Sequence, residues 1–140
     1  MKLYDYSVEF SSKLFEAFPE FQEYMQIENY EKSKKAYFTI KVPCPSDTDS
    51  KLFISTYNEE IEIGFGFYHN HFSLDLEHYN EYEGAISLIE DILTEKQIIA
   101  MIKNENGLIY RTLKPDDLAD LKKEDIISIY SWKGSYCHHE

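Results

Sequence analysis

The chain has 140 residues, and its 26 acidic residues outnumber its 14 lysines and arginines, which gives a formal net charge of −12 at pH 7. This length predicts a single domain, residues 1–140, that is large enough to fold without a disulfide or a metal. The charge disfavours nucleic acid as a direct ligand, because phosphate contacts need lysine and arginine and the chain has one arginine, Arg111.

The first predicted element is a helix over residues 5–18, which Asp5 or Ser7 can cap. Its apolar stripe, at three- and four-residue spacing, consists of Val8, Leu14, Phe15 and Phe18. Residues 19–35 favour a further helical piece that ends in a polar segment.

Three strands are predicted next. Residues 36–42 are rich in β-branched and aromatic side chains, and the two prolines that follow should end this strand. Residues 52–57 predict a second strand, and residues 58–60 predict a tight turn. We expect a third strand to run without interruption over residues 60–72.

The third predicted strand presents two different faces. Side chains on one face, by the two-residue period of a strand, are Ile61, Ile63, Phe65 and Phe67. The other face includes Gly64 and Gly66, which leave the backbone open to close approach.

A polar loop over residues 74–80 leads to a second predicted helix, residues 81–93, with Asn80 as its candidate cap. The predicted buried stripe of this helix is Ala85, Ile86, Ile89, Ile92 and Leu93.

The C-terminal third is predicted to be mostly strands. Residues 97–103 and 108–113 should form a hairpin around Asn106-Gly107, and residues 114–122 a turn with helical character. Residues 125–132 predict the last strand. Because hairpins dominate the whole chain, we predict an α+β fold, with a largely antiparallel sheet of five to six strands and helices packed on one face.

The sequence predicts a cytoplasmic protein. Its two cysteines, Cys44 and Cys137, fit neither a metal-binding spacing nor a redox CxxC motif, and a secreted disulfide framework has more cysteines. We expect no signal peptide, and no apolar run approaches the length of a membrane span, so a membrane partner is not expected.

Residues 52–95 contain ten acidic residues and no lysine or arginine. A one-sign surface on a folded scaffold repels like charge and attracts cations, which predicts a basic partner. Several tyrosines and Trp132 lie among acidic and polar residues, and these residue types are enriched at protein interfaces.

A metal site is the main chemical alternative. His69 and His71 are two apart on a predicted strand, so both imidazoles can lie on one side, with Asp75 and Glu77 close behind as carboxylates. A second cluster at the C-terminus consists of Cys137, His138 and His139. We favour the interpretation in which His69 and His71 are strand-end residues that form hydrogen bonds to the backbone or to a partner.

Nucleophilic catalysis finds no support in the sequence. It has no GxSxG elbow, no phosphate-binding glycine-rich loop, and no histidine at a known local spacing from either cysteine. Adjacent acids on a charged surface are more often solvated than catalytic. We therefore expect no enzyme and no cofactor.

Four features occur in series along residues 52–136. The third strand ends in His-Asn-His-Phe, the acidic helix ends in Ile-Leu-Thr-Glu-Lys, an Asn-Gly hairpin follows, and Ser-Trp-Lys-Gly-Ser-Tyr closes the series. In this series the chain resembles small bacterial immunity proteins of contact-dependent inhibition and polymorphic toxin systems. The resemblance implies a cytoplasmic single-domain protein that binds one toxin domain, often a nuclease, and blocks it without catalytic residues.

The leading hypothesis is therefore an immunity protein that neutralises a basic toxin domain by stoichiometric binding. The predicted acidic contact residues are Glu59, Glu60, Glu62, Asp75, Glu77, Glu81 and Glu83. The predicted anchors are Tyr68, His71 and Trp132. Two alternatives stay open: a small metal-binding protein or metal-dependent enzyme that uses His69, His71 and a nearby carboxylate, and a regulatory module with another basic partner.

Overall fold

Two β-sheets and two α-helices make up the protein in a computed structural model, which describes residues 2–30, 35–66, 68–73, 81–136 and 138–139. The helices are α1 (Asp5–Ala17) and α2 (Glu81–Leu93). The strands are β1 (Lys2–Leu3), β2 (Met25–Asn29), β3 (Lys35–Cys44), β4 (Asp47–Ser55), β5 (Glu60–Phe65), β6 (Tyr68–Ser73), β7 (Ile98–Asn104), β8 (Gly107–Leu113), β9 (Ile126–Tyr130) and β10 (His138–His139). Short 3-10 helices cover Pro19–Tyr24, Tyr57–Glu59, Pro115–Asp120 and Lys123–Asp125.

The strands divide into sheet A and sheet B. Sheet A has the order β1-β3-β4-β5-β6, with β2 also paired to β3, and its pairs are antiparallel except for β1 with β3. Sheet B has the order β10-β9-β7-β8 and is antiparallel throughout. The predicted α+β class and the largely antiparallel pairing are confirmed, while the strands after α2 form a second sheet instead of extending the first.

The prediction of one strand over residues 60–72 is wrong, because a turn divides it into the hairpin β5–β6. Gly66 has a φ of +62°, in the left-handed region that glycine adopts without a Cβ clash. Phe65 pairs with Tyr68, so two residues join the strands, as in the commonest hairpins.

The second helix and the inward face of β5 are confirmed. Buried side chains at the predicted positions are Ile61, Ile63, Phe65, Ala85, Ile89 and Ile92. Ile86 and Leu93 are partly buried against the same core. The predicted positions that lie outside the described residues are the loop 74–80 with Asp75, Glu77 and Asn80, and also Phe67 and Cys137.

The first helix is confirmed in extent but not in its cap or its whole stripe. Tyr4 is the N-cap, with no side-chain cap bond, and Ser7 is buried, where its hydroxyl donates to Thr56 Oγ1 at 2.7 Å. The buried apolar side chains of the helix are Tyr6, Phe10 and Leu14, spaced by four, whereas Val8 is 46% exposed.

The segment between α1 and β3 is a 3-10 helix followed by a strand, not a helical piece throughout. β2 pairs with β3 over five residues, from Met25 opposite Ile40 to Asn29 opposite Ala36. Its burial does not alternate, since it lies at an edge of the sheet. β3 also runs past the predicted end and includes Pro43, where the β3–β4 register shifts.

The main core lies between the inward face of sheet A and the two helices. Sheet A contributes Phe38, Ile40, Val42, Cys44, Leu52, Ile54, Ile61, Ile63 and Phe65. The helices cover this face with Phe10 and Leu14 of α1 and with Ala85, Ile89 and Ile92 of α2. Ile99 of β7 joins the same core and so attaches sheet B to sheet A.

A smaller core lies on the other side of sheet B. Its buried members are Ile98, Ala100, Ile102, Leu113, Ile126 and Ile129. Leu118 and Leu121, at the 3-10 segment after β8, pack against them. Successive residues of β7 therefore serve different cores, as the two-residue period of a strand requires.

Truncation of Ile89 tests the packing of α2. Ile89 is completely buried, so Ile89→Ala removes apolar contacts and leaves a cavity. We expect the free energy of unfolding to fall by about 2–5 kcal/mol, measured by urea denaturation. Glu90→Ala, at the exposed neighbouring position, is the control and should change stability by less than about 0.5 kcal/mol. Equal effects of the two substitutions would contradict this packing.

Candidate partner-binding surface

Side-chain alternation along β5 gives sheet A an inward and an outer face. Ile61 and Ile63 are buried in the main core, whereas Glu60 and Glu62 lie on the outer face and are half-buried. Glu59 ends the 3-10 helix immediately before β5, although its side chain lies outside the described part of the structure. Three predicted contact positions, Glu59, Glu60 and Glu62, therefore lie within four consecutive residues at the start of β5.

The β5–β6 ladder determines the neighbours of these acids. Glu62 pairs with His71, and Gly64 pairs with His69. Two predicted contact positions, Glu62 and His71, are therefore adjacent on neighbouring strands. The side chains of both histidines lie outside the described residues, so the metal pair stays a prediction.

Glu83 of α2 does not belong to the same surface. Glu83 is exposed on the helix, and the helix packs against the inward face of sheet A. Glu81 is the first residue of α2, and its side chain is not among those described. Of the predicted acidic contacts whose side chains are described, Glu60 and Glu62 therefore lie on the outer face, and Glu83 lies on a helix on the opposite side.

Two predicted anchors are packed into the fold. Tyr68 and Trp132 are half-buried against the main core, and the ring centroids of Trp132 and Phe65 are 5.7 Å apart. Tyr130 lies about 3.9 Å from where a Cβ at Gly66 would sit. Trp132 and Tyr130 therefore contribute to the contact between the β5–β6 hairpin and the end of β9, and Tyr68 contributes to the main core.

Glu95, one of the ten acids of residues 52–95, is a structural residue and not part of a charged surface. It is 8% exposed and follows α2 with a φ of +62°, a position where glycine is usual. Its Oε2 accepts hydrogen bonds from the amides of Lys133 at 3.0 Å and Ser135 at 3.3 Å. Its Oε1 accepts a bond from the Ser135 hydroxyl at 2.6 Å.

The hydrogen bonds of Glu95 keep it charged. Burial alone would raise the pKa of the Glu95 carboxyl, but hydrogen bonds from Ser135, Ser131 and Lys133 outweigh burial and lower this pKa below its ordinary value. The C-terminal loop is therefore attached to the end of α2 by an ionised carboxylate.

The same loop also contacts the turn between β3 and β4. Cys44 Sγ donates to the carbonyl of Trp132 at 3.2 Å, and Ser46 Oγ donates to the carbonyl of Ser131 at 3.1 Å. Gly134 has a φ of +81°, and a Cβ there would lie 2.9 Å from Ser46 Cβ. Only glycine fits this close approach without a shift of its neighbours.

A cluster of four tyrosines, not predicted from the sequence, lies at one end of sheet A. Tyr30 is central, with ring centroids 5.6 Å from Tyr4, 4.9 Å from Tyr37 and 5.4 Å from Tyr57. Tyr37 and Tyr57 are 5.0 Å apart with an edge-to-face orientation. Tyr57 is 55% exposed.

Backbone geometry fixes this cluster. Asn58 has a φ of +62°, and its amide donates to the Tyr30 hydroxyl, which connects the β4–β5 turn to the end of β2. Burial raises the pKa of Tyr30 and of Tyr37, and Glu28 raises the pKa of Tyr37 further. Both phenols are therefore neutral over the ordinary pH range. In the sequence, the two-residue alternation of residues 36–42 puts Tyr37 and Phe38 on opposite faces of their strand. This alternation was the one signal that could have predicted an outward-facing Tyr37.

Within the described residues, no group of three or more histidines, cysteines or acids is arranged to hold a metal ion. No helix in the described part of the chain is both long and apolar enough to cross a membrane.

Comparisons with protein-family models, with curated proteins and with solved structures find no match to this chain.

Replacing Glu95 with glutamine tests its structural role. Glutamine has nearly the same shape as glutamate, but its NH₂ group would face the N–H and O–H donors of Lys133 and Ser135 and cannot accept their hydrogen bonds. We therefore expect Glu95→Gln to lower the free energy of unfolding by about 1–3 kcal/mol at pH 7. Because the folded-state pKa is lowered, this contribution is present above the unfolded value, 4.5, and is lost as pH falls through the folded value.

Urea denaturation of both proteins over a pH series measures this effect. The stability difference between wild type and Glu95→Gln should shrink below pH 4.5. A difference that is constant from pH 7 to the limit of acid unfolding would show that the charge of Glu95 contributes nothing.

The metal prediction is negative and concerns the purified protein. We expect elemental analysis to find no stoichiometric zinc or iron. One metal per chain, lost in the double variant His69→Ala and His71→Ala, would instead place the metal alternative first.

Proposed function

We propose that this protein is a cytoplasmic immunity protein that binds a basic toxin domain and blocks it by occlusion. Such a function needs a rigid surface of matching charge and no catalytic group. The observation that carries the proposal is the pair Glu60 and Glu62 on the outer face of β5, within a stretch that contains no lysine or arginine.

The charge distribution supports a basic partner at the β5–β6 hairpin of sheet A rather than at sheet B. Residues 52–95, which include β5 and β6, contain no cationic side chain of Lys or Arg, whereas residues 96–133 contain seven of the 14 in the chain. A toxin nuclease that grips phosphates presents lysines and arginines, and an acidic surface steers association with it electrostatically.

The resemblance over residues 52–136 supports the same assignment. The residues that carry it lie in β5–β6, α2, the β7–β8 hairpin and the loop after β9, although the first of these is a hairpin and not the single strand that was predicted. Binding to a toxin active site by occlusion would explain why the sequence lacks the motifs of a catalytic centre.

Co-expression is the direct test of the function. The gene for this chain should lie beside a gene for a large toxin, and this chain should protect cells that express the toxin's C-terminal domain. Cells that die equally with and without this chain, or a gene neighbourhood with no toxin, would contradict the proposal.

Charge reversal at the outer face tests where the partner binds. We expect the triple variant Glu59→Lys, Glu60→Lys, Glu62→Lys to lower the association rate with the toxin domain strongly, since opposite charge at this face accelerates encounter. The dependence of the association rate on salt should also weaken, because screening acts over about 8 Å at physiological ionic strength. Surface plasmon resonance over a salt series measures both quantities.

The matched control reverses three exposed acids of the sheet B region, Asp116, Asp120 and Glu124. Asp117 is left intact, because its carboxylate accepts a hydrogen bond from the Lys114 amide and caps the 3-10 helix. The control should change the association rate less. If the first triple variant still protects cells fully and its association rate keeps the same dependence on salt, the acidic segment serves only solubility and not binding.

A further inference from the structure

The outer face of sheet A continues from the acids of β5 to the tyrosine cluster. Glu28 of β2 pairs with Tyr37 of β3. The Tyr37 ring contacts Tyr57, and the Glu60 amide donates to the Tyr57 carbonyl. Glu28 therefore lies beside the Tyr37 ring at one side of the cluster, and the start of β5 is hydrogen-bonded to Tyr57 at the other.

This arrangement favours cations through two separate effects. The Glu28 carboxylate supplies negative charge at the edge of the patch and is close enough to raise the pKa of Tyr37. The ring faces add the negative potential of aromatic π-systems, which attracts ammonium and guanidinium groups within about 6 Å.

The protein itself contains one example of this attraction. Lys35 Nζ lies over the ring of Tyr4, 4.9 Å from the ring centroid. This lysine occupies the Tyr4 end of the cluster, whereas Tyr57 at the other end is more than half exposed to solvent. A second cation can therefore approach at Tyr37 and Tyr57 without displacing the first.

We propose that Tyr37 and Tyr57, with Glu28 beside Tyr37, form a docking site for the guanidinium group of an arginine on a basic protein partner. Arginine suits the site because its planar group stacks on aromatic rings while it donates hydrogen bonds to carboxylates. The identity of the partner as a toxin domain rests on the proposed function, but the chemistry of the site does not.

A short peptide tests the site without the partner. The probe is acetyl-Gly-Arg-Gly-amide, added to protein that carries ¹³C-labelled tyrosine rings and is observed by NMR. The matched control peptide replaces arginine with citrulline, which has nearly the same shape and no charge. We expect saturable shifts of the Tyr37 and Tyr57 ring signals with arginine and much smaller shifts with citrulline.

Two variants assign the effect to the ring. Tyr57→Leu keeps an apolar side chain at an exposed position and should weaken arginine-peptide binding by about two- to fivefold, the range for an exposed cation–π contact. Tyr110→Leu is the control, because Tyr110 is 39% exposed on β8 and lies outside the cluster. It should leave binding unchanged. Amide spectra of both variants establish that each is folded.

Equal shifts with the two peptides, no shift at Tyr37 and Tyr57, or the same loss in both variants would each overturn the docking site. The outcome is separable from the proposed function. A silent peptide titration together with intact toxin protection would refute the tyrosine site alone, whereas a positive titration without any toxin protection would refute the immunity assignment alone.

Discussion

The two-residue alternation of sheet A is the constraint on which the rest of the structure depends. β3, β4 and β5 each bury one row of side chains under α1 and α2, with Phe38, Ile54 and Ile63 completely buried. The opposite row must then lie on the outer face, which places Tyr37, Glu60 and Glu62 there. A shift of one residue in register would exchange the two rows. Burial of the hydrophobic row therefore also determines which residues, Glu60 and Glu62 among them, lie on the outer face.

Elements with a strong apolar period were predictable from sequence. The bounds of α2 match because its buried positions recur at helical spacing. The β7–β8 hairpin also matches, although its turn residues are Glu105 and Asn106, and Gly107, with a φ of +116°, begins β8 opposite Asn104. β2 was missed because an edge strand buries little and shows no alternation. The β5–β6 turn was missed because Gly66, which has a left-handed conformation, is flanked on both sides by aromatic and β-branched residues that favour a continuous strand.

The candidate site was predictable only where it depends on local order along the chain. Glu60 and Glu62 follow directly from the alternation of β5. The tyrosine cluster does not, since Tyr30, Tyr37 and Tyr57 meet only after β2, β3 and β4 have paired. Glu95 was counted in the sequence as one more surface acid. In the structure it is buried under the C-terminal loop, and its carboxylate accepts hydrogen bonds that hold this loop in place. Net charge alone thus overstates the acids available to a partner.

The central claim is that a basic protein binds the outer face of sheet A. Hydrogen exchange of this chain, free and in complex with the toxin domain that we propose as its partner, tests that claim most directly. We expect binding to slow exchange in residues 35–39 and 53–62, where the tyrosine cluster and the acids of β5 lie. Protection confined to β8 and residues 115–125 of the sheet B region, with no change in residues 53–62, would contradict it.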